Sequence, residues 1–181
     1  KGQIVSMAEQ YGIPQALAFA QLFSESSFNT KAQSANNPGV GPAFGLTQMV
    51  AGTASRVLKQ KVTGEMLKNN PQLALTGWGK YMTELFNRYH DWDLAVLAYH
   101  QGEGTVDKLV KLLDQGKSSE SFFAARPKGK AYLQKVSALS GISGDKKFEL
   151  STEVSAGTAF VQKYTEAFNN LGETAHRISL E

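Results

Sequence analysis

Cysteine is absent from the 181 residues. That excludes a disulfide framework and any thiolate-ligated metal site, and it leaves periplasm, cytoplasm and virion all open as compartments. Apolar runs are short: nowhere do about 18 apolar residues follow one another, so no membrane-spanning helix is expected. The opening residues Lys1-Gly2-Gln3-Ile4 lack the pattern of a signal peptide. They lead straight into an amphipathic stretch without an initiating Met, which is the expectation for a piece of a longer protein. Charge of either sign is scarce, with 19 Lys and Arg against 16 Asp and Glu and a net charge of +3. There is no basic run that would track a phosphate backbone, so nucleic acid is not an expected partner, and the mild positive balance favours an acidic polymer. Period-two alternation is missing too, which removes the signal for amphipathic strands.

What is present is helical periodicity around an ordinary apolar content of 41%. Ile4, Val5, Ala8 and Tyr11 share a face that Gly12 ends, and Pro14 suits the first turn of a second helix running to about Ser26. Residues 29–44 read as a loop from Asn36-Asn37-Pro38-Gly39-Val40-Gly41-Pro42. Helix is expected from Leu46 to Lys59, over Thr63 to Lys68 with Thr63 as N-cap, and from Pro71 through Tyr89. Asp91 or Asp93 caps a helix over Leu94 to Tyr99, and Val106 to Leu113 and Lys130 to Leu139 complete the set. The fold class is therefore all-α, with negligible β. Residues 141–147 read as a linker or exposed turn. Beyond them Phe160, Tyr164, Phe168 and Leu171 form an apolar stripe that docks either on the domain itself or on a neighbouring domain or subunit.

Glu25 is the first candidate for chemistry. It ends the apolar helical run from Ala16 to Phe23. A carboxyl at the mouth of an apolar region is desolvated, its pKa rises, and it keeps the proton that a general acid needs near neutrality. Taken alone, a solvated glutamate in a last helical turn reads equally well.

Three strings in order decide between these. They are Glu25-Ser26-Ser27-Phe28 with Ala32-Gln33-Ser34, then Ala43-Phe44-Gly45-Leu46-Thr47-Gln48, then Ala98-Tyr99-His100-Gln101-Gly102-Glu103-Gly104. Together with Ala51-Gly52-Thr53-Ala54 and the Gly77–Tyr81 spacing, this set resembles the soluble lytic transglycosylases, glycoside hydrolase family 23 relatives of goose-type lysozyme. The resemblance covers Glu25 to Gly104 closely and fades beyond about Ala138. It implies a lysozyme-like domain over residues 1–140 and a C-terminal helical extension over 141–181, docked or linking to the rest of a larger assembly. The implied activity is cleavage of the MurNAc-β-1,4-GlcNAc bond of peptidoglycan strands without metal or cofactor. Glu25 matches the general acid and base, the product is a 1,6-anhydro end, and the working place is the bacterial periplasm or envelope, or a phage virion acting on a host wall.

The resemblance also assigns substrate-side roles. Ser34 matches a serine that orients the acid or holds the acetamido group, with loop capping as its alternative. Gln48 matches a cleft-lining amide, and Phe44 lies where the family chain walls the cleft. Tyr99 matches a tyrosine whose hydroxyl reaches the acid or the sugar, a plain core tyrosine being the alternative. Thr47, His100 and Gln101 depart from the family's usual Met, Asn and Ala, and the stretch from Ser34 to Ala43 is longer than common. His100 is a candidate sugar contact that titrates near neutrality. His90 and His176 read as solvated, and no histidine pair stands in the register of a metal site. Two other functions remain at this stage. A hydrolase of the same fold would need a second carboxylate to activate water, for which Glu103 is the candidate, ahead of Asp91 and Asp93. A non-catalytic wall-binding module would retain the cleft without turnover.

Overall fold

A computed structural model describes residues 2–141. The expected C-terminal stripe, Phe160 to Leu171, lies outside the described residues. In chain order the elements are α1 (Gly2–Tyr11), α2 (Gln15–Ser26), β1 (Ala43–Phe44), β2 (Met49–Val50), α3 (Ala51–Leu58), α4 (Gly64–Asn69), α5 (Pro71–Tyr89), α6 (Trp92–Gln101), α7 (Glu103–Asp114), α8 (Glu120–Ala124) and α9 (Pro127–Ser140). The architecture is mostly helical, as the periodicity implies.

Local chemistry explains most of the boundaries. Thr63 caps α4 by accepting from the Met66 amide, Asn70 caps α5 ahead of Pro71, and Asp91 caps α6 by accepting from the Leu94 amide at 3.0 Å. Asp91 is thus spoken for as a cap. The longest helix, α5, is the hub. It packs against α1, α3, α4 and α6, while α9 lies across α2 and α6. Leu75, Trp78, Met82 and Leu85 of α5 are fully buried with Leu22 of α2, Leu94 and Leu97 of α6 and Leu133 of α9. Each such side chain contributes about 1.5–3 kcal/mol by leaving water, so α9 is an integral wall of the core and not an appendage.

One expected helix is shorter than its pattern. Leu46 to Lys59 is helical only over Ala51–Leu58. The preceding residues form a two-stranded antiparallel hairpin, Ala43 opposite Val50 and Phe44 opposite Met49, closed by a turn at 45–48. Gly45 is the reason. Its φ is +72°, and a Cβ there would stand 2.6 Å from the Leu67 carbonyl oxygen. The chain can pass so close to α4 only without a side chain, in a conformation that no helix contains. Gln48 follows with φ +49°, a costly value for a non-glycine residue that marks a turn held by its surroundings. The helix over 120–124 was not visible as periodicity because it is a single short turn.

Candidate active site

The last turn of α2 carries Glu25. The helix stops at once, because Ser27 and Phe28 both adopt left-handed φ values, +52° and +62°. Phe28 folds back on Phe19 and Phe23, with ring centroids 6.2 and 5.6 Å away. That apolar cap offsets the strain of two consecutive left-handed residues. Glu25 is therefore presented at a fixed helix end and not in a fraying one.

The turn at 45–48 is fastened to that end from several sides. The Ser26 hydroxyl donates to the Leu46 carbonyl at 2.7 Å, and the Tyr99 hydroxyl of α6 donates to the Thr47 carbonyl at 2.8 Å. The Gln48 side-chain amide donates to the Gly45 carbonyl at 3.0 Å, and the Gly45 amide donates to Ala32 at 2.8 Å. Thr47 is itself fully buried, so the departure from Met at this position alters packing inside the turn and not a sugar contact. Phe44 lies over Gly64, where any Cβ would collide with the ring. The Lys68 ammonium approaches the same ring at 5.8 Å, within the range of a cation–π contact.

Glu25 keeps some solvent exposure while its carboxyl is closely surrounded by protein. Burial drives its pKa up from 4.5 to about 7, against the smaller opposing effects of a hydrogen bond from Tyr132 and the charge of Lys135. The Tyr132 hydroxyl donates to Glu25 Oε1 at 2.5 Å. Burial, together with the nearby Glu25 carboxylate, holds the phenols of Tyr132 and Tyr99 well above their ordinary pKa, so both remain donors at any pH of interest. Lys135 stands one helical turn beyond Tyr132 on α9, with its ammonium 5.6 Å from the centre of the Phe23 ring.

The residues expected from the sequence are placed in four ways. Glu25 and Tyr99 come together, Tyr99 through the turn that it braces. His100, exposed on its outer side, stacks flat on the Tyr132 ring, with centroids 4.0 Å apart and planes 8° apart, and desolvation on the stacked side lowers its pKa. Ser34 turns to its own loop. It accepts from the Ala43 amide at 2.9 Å and donates to the Ala35 carbonyl at 3.0 Å, closing the long 34–43 segment. Glu103 is engaged elsewhere. It pairs with Arg56 at 3.8 Å, and the Arg56 guanidinium in turn lies 5.3 Å over the Tyr81 ring. Tyr81 packs on Tyr99 at 5.4 Å, so the described contacts leading from Glu103 toward the acid run through Arg56 and two tyrosines. Among the described residues no group of His, Asp and Glu is gathered to hold a metal ion.

Tyr132 escaped sequence reasoning. It lies 107 residues from Glu25 in a helix whose pattern announces only packing.

The order of these strings and this arrangement of an acid at a helix end meet one family. A model of the transglycosylase SLT domain matches residues 3–122. The chain belongs to the transglycosylase SLT domain family. Among solved structures, the 70 kDa soluble lytic transglycosylase of Escherichia coli is similar with 21% identity and a TM-score of 0.59, over 75% of this chain and 23% of that one. An inactive mutant of the lytic transglycosylase Slt of Pseudomonas aeruginosa is similar with 23% identity and a TM-score of 0.60, over 77% of this chain and 23% of that one. The chain thus spans less than a quarter of either protein, and the likeness is one of fold. The family match ends at residue 122, ahead of the helix that brings Tyr132 to the acid.

Proposed function

We propose that this domain is a peptidoglycan lytic transglycosylase with Glu25 as its single acid and base. The observation that carries this is the partly enclosed Glu25 carboxyl at the end of α2, which accepts from Tyr132 and whose pKa is pushed up to about 7 by burial, as suits an acid that must give a proton and then take one. Protonated Glu25 donates to the glycosidic oxygen. The bond from the MurNAc anomeric carbon to that oxygen breaks, and GlcNAc leaves with its 4-hydroxyl restored. The substrate's own 2-acetamido oxygen supports the electron-poor anomeric carbon. Glu25, now a carboxylate, removes the proton of the muramyl 6-hydroxyl, and that oxygen closes on the anomeric carbon as a 1,6-anhydro ring. Water is neither consumed nor produced.

Within this reading Phe44, Gln48, Tyr99 and His100 line the glycan site, and Ser34 acts by holding the 34–43 segment in place. The catalytic unit extends through α9, because Tyr132 is supplied from there. The site of action is the bacterial wall, reached from the envelope or from a phage particle. The hydrolase alternative needs a second carboxylate free to activate water, whereas Glu103 is paired with Arg56. Digestion of purified peptidoglycan followed by mass spectrometry tests the proposal. Anhydromuramyl ends, one water lighter than lysozyme products, are expected. Reducing-end MurNAc as the main product would replace this reading with the hydrolase, and no product at all with the binding module.

A further inference from the structure

Two residues that depart from the family's usual pattern turn toward the same helix. His100 and Gln101 close α6, and both meet α9, which lies beyond the family match over residues 3–122. His100 stacks on Tyr132. Gln101 lies against Gly129, where an added Cβ would stand 3.0 Å from the glutamine Cδ. At the other end of the helix pair the Ser137 hydroxyl donates to Asp93 Oδ1 at 3.3 Å. Asp93, His100 and Gln101 of α6 thus meet Ser137, Tyr132 and Gly129 of α9 in that order, an antiparallel seam with a single register.

Gly129 and Tyr132 are three residues apart and so share a face of α9. Buried Leu133 and Val136 fasten the helix to the core, which places the Tyr132 backbone but not the direction of its ring. The His100 face supplies that direction. The two planes differ by only 8°, so a swing of the phenol about χ1 would take its ring out of the stack. The same swing would carry its hydroxyl away from Glu25 Oε1, to which it donates at 2.5 Å. Hydrogen bonds weaken steeply as they lose alignment, so a small rotation costs the acid its donor.

We propose that His100 is a positioning residue whose flat stack holds the Tyr132 ring where its hydroxyl donates to Glu25. The stacked face acts on the reaction only through Tyr132. This rests on the reading of Glu25 as the acid and deepens it. Asparagine, the family's usual residue at this position, has no aromatic face to offer, so the stack belongs to this chain's own sequence. Lys135 on α9 and Tyr99 on α6 also face Glu25. Both stay in place in the variants that follow, so a change at Glu25 that depends on His100 reports the state of Tyr132.

Four variants test it: His100→Leu, His100→Phe, Tyr132→Phe, and His100→Leu combined with Tyr132→Phe. Leucine keeps the site covered but has no flat face, and phenylalanine restores the face without the ring nitrogens. Each is followed by the carboxyl titration of Glu25, read by 13C NMR with Glu25→Gln as the assignment control, and by kcat and KM on soluble peptidoglycan fragments. In His100→Leu the Glu25 midpoint is expected to rise by about half a unit as the hydrogen bond from Tyr132 loosens. The kcat should fall about fivefold with KM within about twofold. In His100→Phe the midpoint should stay within about 0.2 units of wild type. The double variant should match Tyr132→Phe in midpoint and kcat, because without the hydroxyl nothing is left to position. A raised KM with kcat and midpoint unmoved in His100→Leu would make the residue a sugar contact only and overturn the proposal. A further kcat loss in the double variant would overturn it too. So would a shifted midpoint in His100→Phe, which decides the matter even if the leucine variants fail to fold. If the wild-type protein made no wall product, the transglycosylase reading would fall while the NMR titration still decided the stack.

Discussion

Replacing Glu25 by Gln should remove activity and, above neutrality, make the protein more stable. The folded carboxyl titrates at about 7 and the exposed one at 4.5. Between those values the folded chain holds a proton that the unfolded chain has released, so this group favours folding most at low pH. That advantage is full below about pH 4.5 and is gone once the pH has risen through about 7. At pH 8 both states are ionised, and the folded state bears the full cost of a charge held away from water. The gap between the two values corresponds to about 3 kcal/mol, reduced to about 2 kcal/mol by solvent at the exposed edge of the side chain. Glutamine keeps an oxygen for the Tyr132 hydroxyl but never ionises. At pH 4.5 the variant should therefore match the wild type, and at pH 8 its Tm should be higher by about 4–8 °C for a domain of this size. Thermal unfolding followed by circular dichroism at the two pH values measures this directly. A Tm difference that is the same at pH 4.5 and pH 8 would refute the desolvated carboxyl. The accompanying loss of wall cleavage is expected at about 10²–10⁴-fold, and residual activity above a tenth of wild type would remove Glu25 from its role.

Tyr132→Phe deletes the donor to Glu25, so the Glu25 midpoint should rise above 7 and kcat fall about tenfold; an unmoved midpoint would make Tyr132 a packing residue only. Lys135→Met removes a cation whose charge lowers the Glu25 pKa, so the basic limb of the pH profile should shift upward, more at low salt than at high salt; a limb that is unchanged at low salt counts against that coupling. Glu103→Gln breaks the contact with Arg56, which is half-exposed and worth at most about 1 kcal/mol, so turnover should stay within about threefold of wild type. A loss comparable to that of Glu25→Gln would instead establish a second catalytic carboxylate.

The helices were legible because each rule acts over a few residues. Asp91, Thr63 and Pro71 are caps and starts whose effect is complete within one turn, and the stripes on α1, α5 and α6 recur every three or four residues. The hairpin was not legible, because Gly45 is needed there for a reason 22 residues away, the Leu67 carbonyl against which a Cβ would press. Periodicity read through Leu46-Thr47-Gln48 as if the glycine were neutral. The acid was found from its apolar helical approach and from the motif strings around it. Its partner Tyr132 was not, since a tyrosine next to Leu133 on an amphipathic helix carries no local mark of function. Gln21 is the instructive case between the two. It stands as the one amide within the run from Ala16 to Phe23, and an unbroken apolar face would have been the cheaper solution by the desolvation cost of an amide. A polar residue placed where packing alone would choose leucine is a visible signal that it has a buried partner, although that partner, the Trp78 indole, stands 57 positions along the chain. The same local exception thus marks the core beneath the acid, and a buried amide one turn before a candidate acid is a reason to look for the distant donor that orients it.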